Sequence, residues 1–343
     1  MSVTATSPQP IPPPERDADQ WRLLPPISLK LIGLALVLSL LLGWSAKRND
    51  LTRLPGLLLS GVGESMGLSK QSEIGPAVRR FVSGLFPLVL WEKTDTTRVE
   101  NFDPKRLPPF THIVREPITE YHAVENKWVT VDTRDFLYDP FGYLKTVLWL
   151  MLQTIEIAVW GTLLALLVAI PQAYFAARNY APNRLLYSLA RGWTSFTRAT
   201  PDLILALICV MIFGFGAIAG VITLAFNTSG FLGKFLADDI ENADKGPQEA
   251  LSSLGANKLK VLRFAVLPQV LPQYLAYVQY ILERNVRSAA AIGVVGAGGI
   301  GMELKGRWDM YDYGHVSTVL LIMFLTAFAL ERVTQIVRTR LIK

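Results

Sequence analysis

Long runs of sequence almost without charge constrain this chain more than any other feature. The longest run, Thr146 to Ala177, contains a single charged residue, Glu156. A membrane-spanning helix needs ~20 mostly apolar residues, whereas the apolar residues of a soluble core recur at the helix or strand period. The sequence therefore predicts an all-α fold, a polytopic membrane helix bundle with about six spans.

One predicted span contains a proline at a position where a straight helix is disfavoured. Pro201 restricts the backbone of Thr200 before it, so the third span is predicted to be kinked there. The predicted spans cover residues 29–46, 146–177, 184–214, 217–236, 264–291 and 313–330.

Basic residues predict how these spans are oriented. Four arginines between 178 and 198 follow the second predicted span with no acid among them, and the C-terminal tail is also basic. Short cytoplasmic loops carry an excess of Lys and Arg, so both regions are placed in the cytoplasm. Both termini are then cytoplasmic, and residues 1–28 form a disordered, proline-rich tail. Residues 47–142 form an extracytoplasmic section, and 143–343 form a core domain with a cytoplasmic loop at 237–263.

Composition and motifs exclude several other classes of protein. The net charge of +6 is modest, and no stripe of Lys and Arg interleaved with aromatic residues indicates nucleic-acid binding. The single cysteine, Cys209, lies in an apolar run, which excludes a disulfide within one chain and a thiolate metal site. Without a Walker A sequence or a defensible catalytic arrangement, we predict no catalytic residue, no metal and no cofactor bound by this chain.

The polar segment between the fourth and fifth predicted spans contains a short helix-turn-helix pattern. Pro247 suits a first helical turn, because its missing N–H has no partner there. Asp244 is placed to cap this helix, and Gly255 to end it, because glycine adopts the left-handed conformation at low cost. Two apolar residues, Leu251 and Leu254, are available to fill a groove on a partner. An ordinary amphipathic connector is the alternative interpretation.

This segment and the one after it resemble a known family. Residues 246–272 are similar to the EAA loop of type I ABC importer permeases, with Glu249, Ala250 and Leu251 where the usual third residue is alanine. The following sequence to Gly301, which includes ERNVRSAAAIGVVGAGGIG, resembles the permeases of phosphonate-type importers. The resemblance covers about residues 144–340, and the section 91–140 does not match and looks like an insertion.

The resemblance implies a function and a set of partners. The chain would be the transmembrane permease subunit of an ATP-driven importer for phosphonate, phosphate or a related phosphorus oxyanion, in the bacterial cytoplasmic membrane. Its partners would be membrane lipid, a second copy of itself, two ABC ATPase subunits that bind ATP and Mg, and an extracytoplasmic substrate-binding protein. The residues implied in coupling to the ATPase are Gln248, Glu249, Ala250, Leu251, Leu254 and Gly255.

Charged residues within the fifth predicted span are candidates for the transport pathway. A charge at mid-bilayer costs roughly 2.5–3.5 kcal/mol on insertion scales, so it needs a partner or a cavity. Glu283 and Arg287 have the i,i+4 spacing of a helical ion pair, while Arg284 and Asn285 face elsewhere. Arginine suits a phosphorus oxyanion through bidentate hydrogen bonds. Alternatively, this cluster braces the helix near the interface.

Two further features are candidates for the pathway or its gate. Arg198 lies next to Pro201 and Asp202, and a local ion pair with Asp202 is the simplest expectation. The segment 293–301 contains five glycines and predicts a helix break near the pathway, with close helix packing as the alternative. Its resemblance to a dinucleotide-binding loop is weak, because no strand precedes it. Its candidate gate residues are Gly296, Gly298 and Gly299.

Three other functions compete with the oxyanion importer. A type I importer for another small solute, such as an amino acid, would share the whole architecture. A self-contained secondary carrier would show an inverted repeat with paired broken helices, whereas one broken segment and no repeat are found here. An integral membrane enzyme would need a polar catalytic cluster at one depth, and the histidines and carboxylates are scattered.

Overall fold

The computed structural model describes residues 29–65, 75–98, 103–104, 107–122 and 127–341. The chain divides into two compact units, Met1–Arg80 and Phe81–Lys343. The predicted tail 1–28 lies outside the described residues. In the first unit, helix α1 (Leu29–Arg48) occupies the predicted first span and is followed by a 3-10 turn and α2 (Leu54–Ser65). Helix α3 covers Gly75–Leu85.

The predicted extracytoplasmic section contains a three-stranded antiparallel sheet. Its strands β1 (Glu92–Asp95), β2 (His112–His122) and β3 (Lys127–Asp139) are arranged in the order β1-β3-β2. Many residues of β3 are aromatic or β-branched, types that are enriched in strands. No strand was predicted here, so the all-α description holds for the membrane region and the sheet is an addition to it.

The remaining helices build the core of the molecule. They are α4 (Gly142–Ala176), α5 (Arg184–Ala199), α6 (Asp202–Phe213), α7 (Ala217–Asn242), α8 (Lys245–Ser253), α9 (Lys258–Val261), a π-helical turn (Leu262–Val266), α10 (Leu267–Gly293), α11 (Ile300–Asp309) and α12 (Tyr313–Leu341).

The number of helices that qualify as spans by length and composition is smaller than predicted. Within the described ranges, α4, α7 and α12 qualify, and α5 with α6 makes a fourth if that pair counts as one span. The two helices meet at 91° around Thr200 and Pro201, a break much sharper than the predicted kink. Helices α1 and α10 lie at the other predicted spans without passing this test; in α10, glutamines and charged residues lower the hydropathy.

Small residues let α4 and α7 pack closely along their length. A Cβ atom added to Gly161 would lie 2.7 Å from Leu224 Cβ, and one added to Gly220 would lie 3.0 Å from Ile157 Cγ2 of α4. Such contacts are available only to glycine. Helix α7 also continues to Asn242, beyond its predicted end at 236, so the polar loop begins later than expected.

The sheet is joined directly to the helical core. Thr318 Oγ1 in α12 donates a hydrogen bond to Val89 O at 2.6 Å, and Leu144 N in α4 donates to Leu90 O at 3.2 Å. Trp91 stacks on Tyr138 of β3 with ring centroids 5.5 Å apart. The segment before β1 therefore fastens the sheet to the first turns of α4 and α12.

Candidate functional site

The predicted helix-turn-helix of the polar loop is present. The Asp244 side chain caps α8 by accepting a hydrogen bond from Gly246 N at 3.1 Å, and Asn257 caps α9 in the same way. Gly255 has φ 79° and follows the end of α8, which confirms its predicted role as the helix terminator. Local capping signals thus determine this element.

Helix α8 lies on the surface, and the side chain of Gln248 connects it to the core. Gln248 Oε1 accepts a hydrogen bond from the hydroxyl of Tyr180 at 3.0 Å, and its Nε2 donates to Ala243 O and Asp244 O. Burial and the nearby Tyr174 raise the pKa of Tyr180, which keeps its hydroxyl protonated as the donor. Among the predicted coupling residues, Gln248 therefore faces inward.

The other predicted coupling residues face outward. Leu254 is 82% exposed, Glu249 and Ala250 are exposed, and Leu251 is half-buried. A groove of about 300 Å³ lies beside α8 and is lined by Tyr180, Gln248 and Glu249 among others. This surface combines an apolar tip with an acid, the chemistry expected of a docking helix.

Arg191 connects three helices close to this loop. Its Nε donates to Ala176 O at the end of α4 at 2.8 Å, and its two terminal nitrogens contact Asp238 at 2.5 Å and Glu241 at 2.9 Å in α7. Glu241 also accepts a hydrogen bond from Arg178 N at 2.6 Å. We call Arg191, Asp238 and Glu241 the inner clamp. From the sequence, Arg191 was counted only among the basic residues that predict how the spans are oriented.

Asn285 is a buried connection between three helices. It is 2% exposed, donates to Thr162 Oγ1 of α4 at 2.9 Å and accepts from Thr228 Oγ1 of α7 at 3.0 Å. Two hydrophobic clusters lie on either side of it, one along the first part of α4 and one along the last part. In this conformation its amide is committed to other helices rather than open to a path.

Two of the candidate arginines meet on one aromatic ring. The guanidinium carbons of Arg284 and Arg198 lie 4.2 and 5.1 Å from the ring centroid of Phe231. Arg284 Nη2 donates to Asn227 Oδ1 at 3.3 Å and lies 3.9 Å from Asp202. We call these five residues the arginine cluster.

The prediction of an ion pair between Arg198 and Asp202 is wrong. Asp202 lies with Arg284 instead, because the sharp break after α5 separates it from Arg198. Arg198 Nε is buried and has no hydrogen-bond partner in the described part of the chain. By contrast, the predicted pair of Glu283 and Arg287 is confirmed at 3.0 Å, and the side chain of Arg287 is 59% exposed.

The predicted helix break at the glycine-rich segment is confirmed between α10 and α11. Gly296, Gly298 and Gly299 have φ values of 98°, 82° and 71°. A Cβ atom on Gly299 would lie 2.4 Å from Thr154 Oγ1, which also accepts a hydrogen bond from Ile300 N at 2.8 Å. The segment therefore both breaks the helix and packs tightly on α4.

A second arginine-centred group lies at the other end of the core. Arg307 Nε donates to Glu303 at 2.7 Å, its Nη1 donates to Asp312 at 3.3 Å, and its guanidinium lies 5.0 Å from the ring centroid of Tyr143. His315, isolated in the sequence, contacts Asp312 at 2.7 Å. We call Glu303, Arg307, Asp312 and His315 the outer clamp. Burial opposes ionisation of Asp312, but the hydrogen bond and charge of His315, with Arg307, lower its pKa overall.

The chain is similar to proteins of known families. Residues 148–343 match the family described as the binding-protein-dependent transport system inner membrane component. The chain is 44% identical over 261 residues to the putative phosphite transport system permease protein HtxE of Stutzerimonas stutzeri, covering 75% of this chain and 100% of that protein. It is 38% identical over 190 residues to the phosphate-import permease protein PhnE of Mycolicibacterium smegmatis, covering 55% of this chain and 36% of that protein. Among solved structures, an inward-facing MetNI methionine ABC transporter aligns with 22% identity and a TM-score of 0.49, covering 58% of this chain and 96% of that one.

Proposed function

This chain belongs to the family of inner membrane components of binding-protein-dependent transport systems, and we propose that it forms the pathway of an ATP-driven importer for a phosphorus oxyanion. It is a multi-pass membrane transport subunit and not an enzyme. Relatives named as phosphite and phosphate permeases support phosphonate, phosphate or a related oxyanion as the cargo.

A charged face at the middle of the membrane core carries the proposal. Arg287 is 59% exposed and lies close in sequence to Asn285, which is bonded to Thr162 near the middle of the 35-residue helix α4. Charged side chains at that depth face a bundle interior or a water-filled cavity and not lipid. The exposed face of α10 therefore lines an aqueous path that a second permease subunit closes.

We assign the second subunit to another copy of this chain. A two-fold pair would place each copy's α10 face towards the shared path, and closed two-fold symmetry is the commonest arrangement of oligomers. Purification of a tagged and an untagged copy together would support this pairing. Recovery of the tagged copy with only a different permease would overturn it.

The ATPase partners are proposed to bind α8 on the cytoplasmic side. This placement follows from the positive-inside rule and puts the sheet outside, where a substrate-binding protein delivers cargo. ATP and Mg would bind to the ATPase subunits alone. The gate is assigned to the break at Gly296, Gly298 and Gly299, since backbone outside a helix is tolerated at membrane depth only beside a cavity or protein.

The function is tested with the full complex in vesicles. The chain is reconstituted with its ATPase and binding-protein partners, and ATP hydrolysis is measured with phosphite, phosphate, methylphosphonate or methionine. We expect stimulation by the oxyanions only. Stimulation by methionine alone would replace the cargo with an amino acid, and failure of any ATPase to copurify would overturn the importer.

The docking surface has a matched control on the opposite side of the molecule. Leu254→Asp places a charge on a side chain that is 82% exposed, and Phe110→Asp does the same on one that is 81% exposed. We expect Leu254→Asp to abolish copurification of the ATPase and Phe110→Asp to leave it intact. Equal recovery from both variants would contradict the assignment of α8 as the docking helix.

A further inference from the structure

The arginine cluster has more positive than negative charge. Arg198 and Arg284 each carry one positive charge, and Asp202 is the acid that lies with them. The neighbouring Glu283 is already neutralised by Arg287 at 3.0 Å. One positive charge in this part of the core is therefore without a partner among the described residues.

Both arginines also have unused hydrogen-bonding capacity. Arg198 Nε is buried with no partner within the described part of the chain, and the contacts of Arg284 with Asn227 and Asp202 are long, at 3.3 and 3.9 Å. Each guanidinium has five N–H donors in a fixed planar arrangement. A ligand with several acceptor oxygens would satisfy groups that the protein leaves open.

Phe231 holds the two guanidinium groups near each other. Both lie within about 6 Å of its ring centroid, the range of cation–π attraction. Two like charges on one ring repel each other, and an anion bound to both would offset that repulsion. The ring therefore brings both guanidinium groups to one side chain, an arrangement that a bound anion would stabilise.

The cluster lies where a charge is costly and where the helices are interrupted. Arg284 precedes Asn285, which contacts the middle of α4, and Arg198 lies just before the 91° break between α5 and α6. Asn227 donates to the carbonyl oxygen of Thr200 at this break at 3.1 Å. A polar site at this depth, beside backbone that is not helical, is typical of a transport pathway.

We propose that Arg198 and Arg284 bind the cargo oxyanion in transit, with Phe231 and Asn227 holding them in place. The ligand class is a phosphorus oxyanion with one or two negative charges and at least two free oxygens, which two guanidinium forks can bridge. The anion displaces Asp202 from Arg284, so Asp202 competes with cargo and favours its release. The site rests on the proposed function, since it assumes that an oxyanion passes through this subunit.

The proposal is tested by uptake of phosphite into vesicles that contain the full complex. Arg284→Lys keeps the charge but loses the planar fork, and we expect it to raise KM about ten-fold. Arg198→Gln and Arg284→Gln are expected to raise it about a hundred-fold or more, because both charge and fork are lost. The control is Arg184→Gln, an exposed arginine on the same helix as Arg198, which should leave KM unchanged.

A variant with the opposite expected sign guards against simple misfolding. Asp202→Asn removes the competing acid, so we expect a KM several-fold lower than that of the wild type and a slower maximal rate. An unchanged KM in the arginine variants, with complexes that still assemble, would overturn the site. If the wild-type complex itself transports no oxyanion, the proposed function fails instead.

Discussion

The inner and outer clamps contain the same kinds of contact, but they join residues at very different separations in the sequence. Each is an arginine that contacts two acids and an aromatic ring, Tyr187 for Arg191 and Tyr143 for Arg307. The acids of the inner clamp lie 47 and 50 residues away in sequence, whereas those of the outer clamp lie 4 and 5 residues away.

This difference decides what each clamp resists. The inner clamp must break if α5 separates from α7, so it holds together the helices beside the docking loop. The outer clamp keeps its contacts when α11 moves as a unit with the start of α12, because all four of its residues belong to that corner. Long-range ion pairs thus join separate helices at one end, whereas the ion pairs at the glycine-rich end act within α11 and the start of α12.

The largest test of this contrast is removal of the inner arginine. Arg191→Gln leaves Asp238 and Glu241 without a cation. We expect the free energy of unfolding to fall by about 2 kcal/mol, between the values for exposed and buried ion pairs. Thermal unfolding of the purified complex measures it, with Arg184→Gln as the control. A melting temperature equal to that of the control would show that the inner clamp does not contribute to the stability of the complex.

A smaller effect is expected when α8 is detached from the core. Tyr180→Phe removes the hydrogen bond to Gln248, which contributes about 1 kcal/mol. We expect more ATP hydrolysed per cargo molecule transported, with little change in basal hydrolysis. An unchanged ratio would mean that Gln248 does not transmit motion from α8.

The outer clamp should tolerate its equivalent substitution better. Arg307→Gln removes local ion pairs that are partly solvated. We expect the free energy of unfolding to fall by about 1 kcal/mol or less. The same unfolding assay compares it directly with Arg191→Gln. A larger loss of stability in Arg307→Gln than in Arg191→Gln would show that the outer clamp is the more important of the two.

The smallest expected effect is a pH dependence at the outer end. The pKa of Asp312 is lowered in the folded protein, so its contribution to stability is present above the unfolded value of about 3.9 and is lost as the pH falls through the folded value. Wild type and Asp312→Asn should therefore converge in melting temperature in acid. A difference that persists well below pH 3.9 would contradict this assignment.

Local signals in the sequence predicted much of the fold, and long-range contacts account for what they missed. The apolar runs located α4, α7 and α12, and Asp244 with Gly255 located α8, because caps and hydropathy act within a few residues. The sheet was missed: β1 pairs with β3 across a long stretch of chain, as at Glu92 and Asp139, but β2 and β3 pair locally, as at His122 and Lys127, and went unrecognised all the same.

The candidate site shows the same division. The i,i+4 pair of Glu283 and Arg287 is a local contact and was predicted correctly. Proximity in sequence suggested the wrong partner for Asp202, since the break after α5 turns it towards Arg284 in a different helix. Neither the inner clamp nor the shared ring of Phe231 leaves a periodic pattern that a reader of the sequence would notice.

Helix α4 connects the two ends of the helical core. It is one continuous helix of 35 residues, about 52 Å long at 1.5 Å per residue, with the sheet at its first turn and the inner clamp at its last. A tilt begun at the first turn is transmitted along the helix as far as Pro171, where the missing backbone N–H lets the helix bend. Movements at the sheet and at the inner clamp are then coupled through one helix, and a spin label at each end would test that coupling.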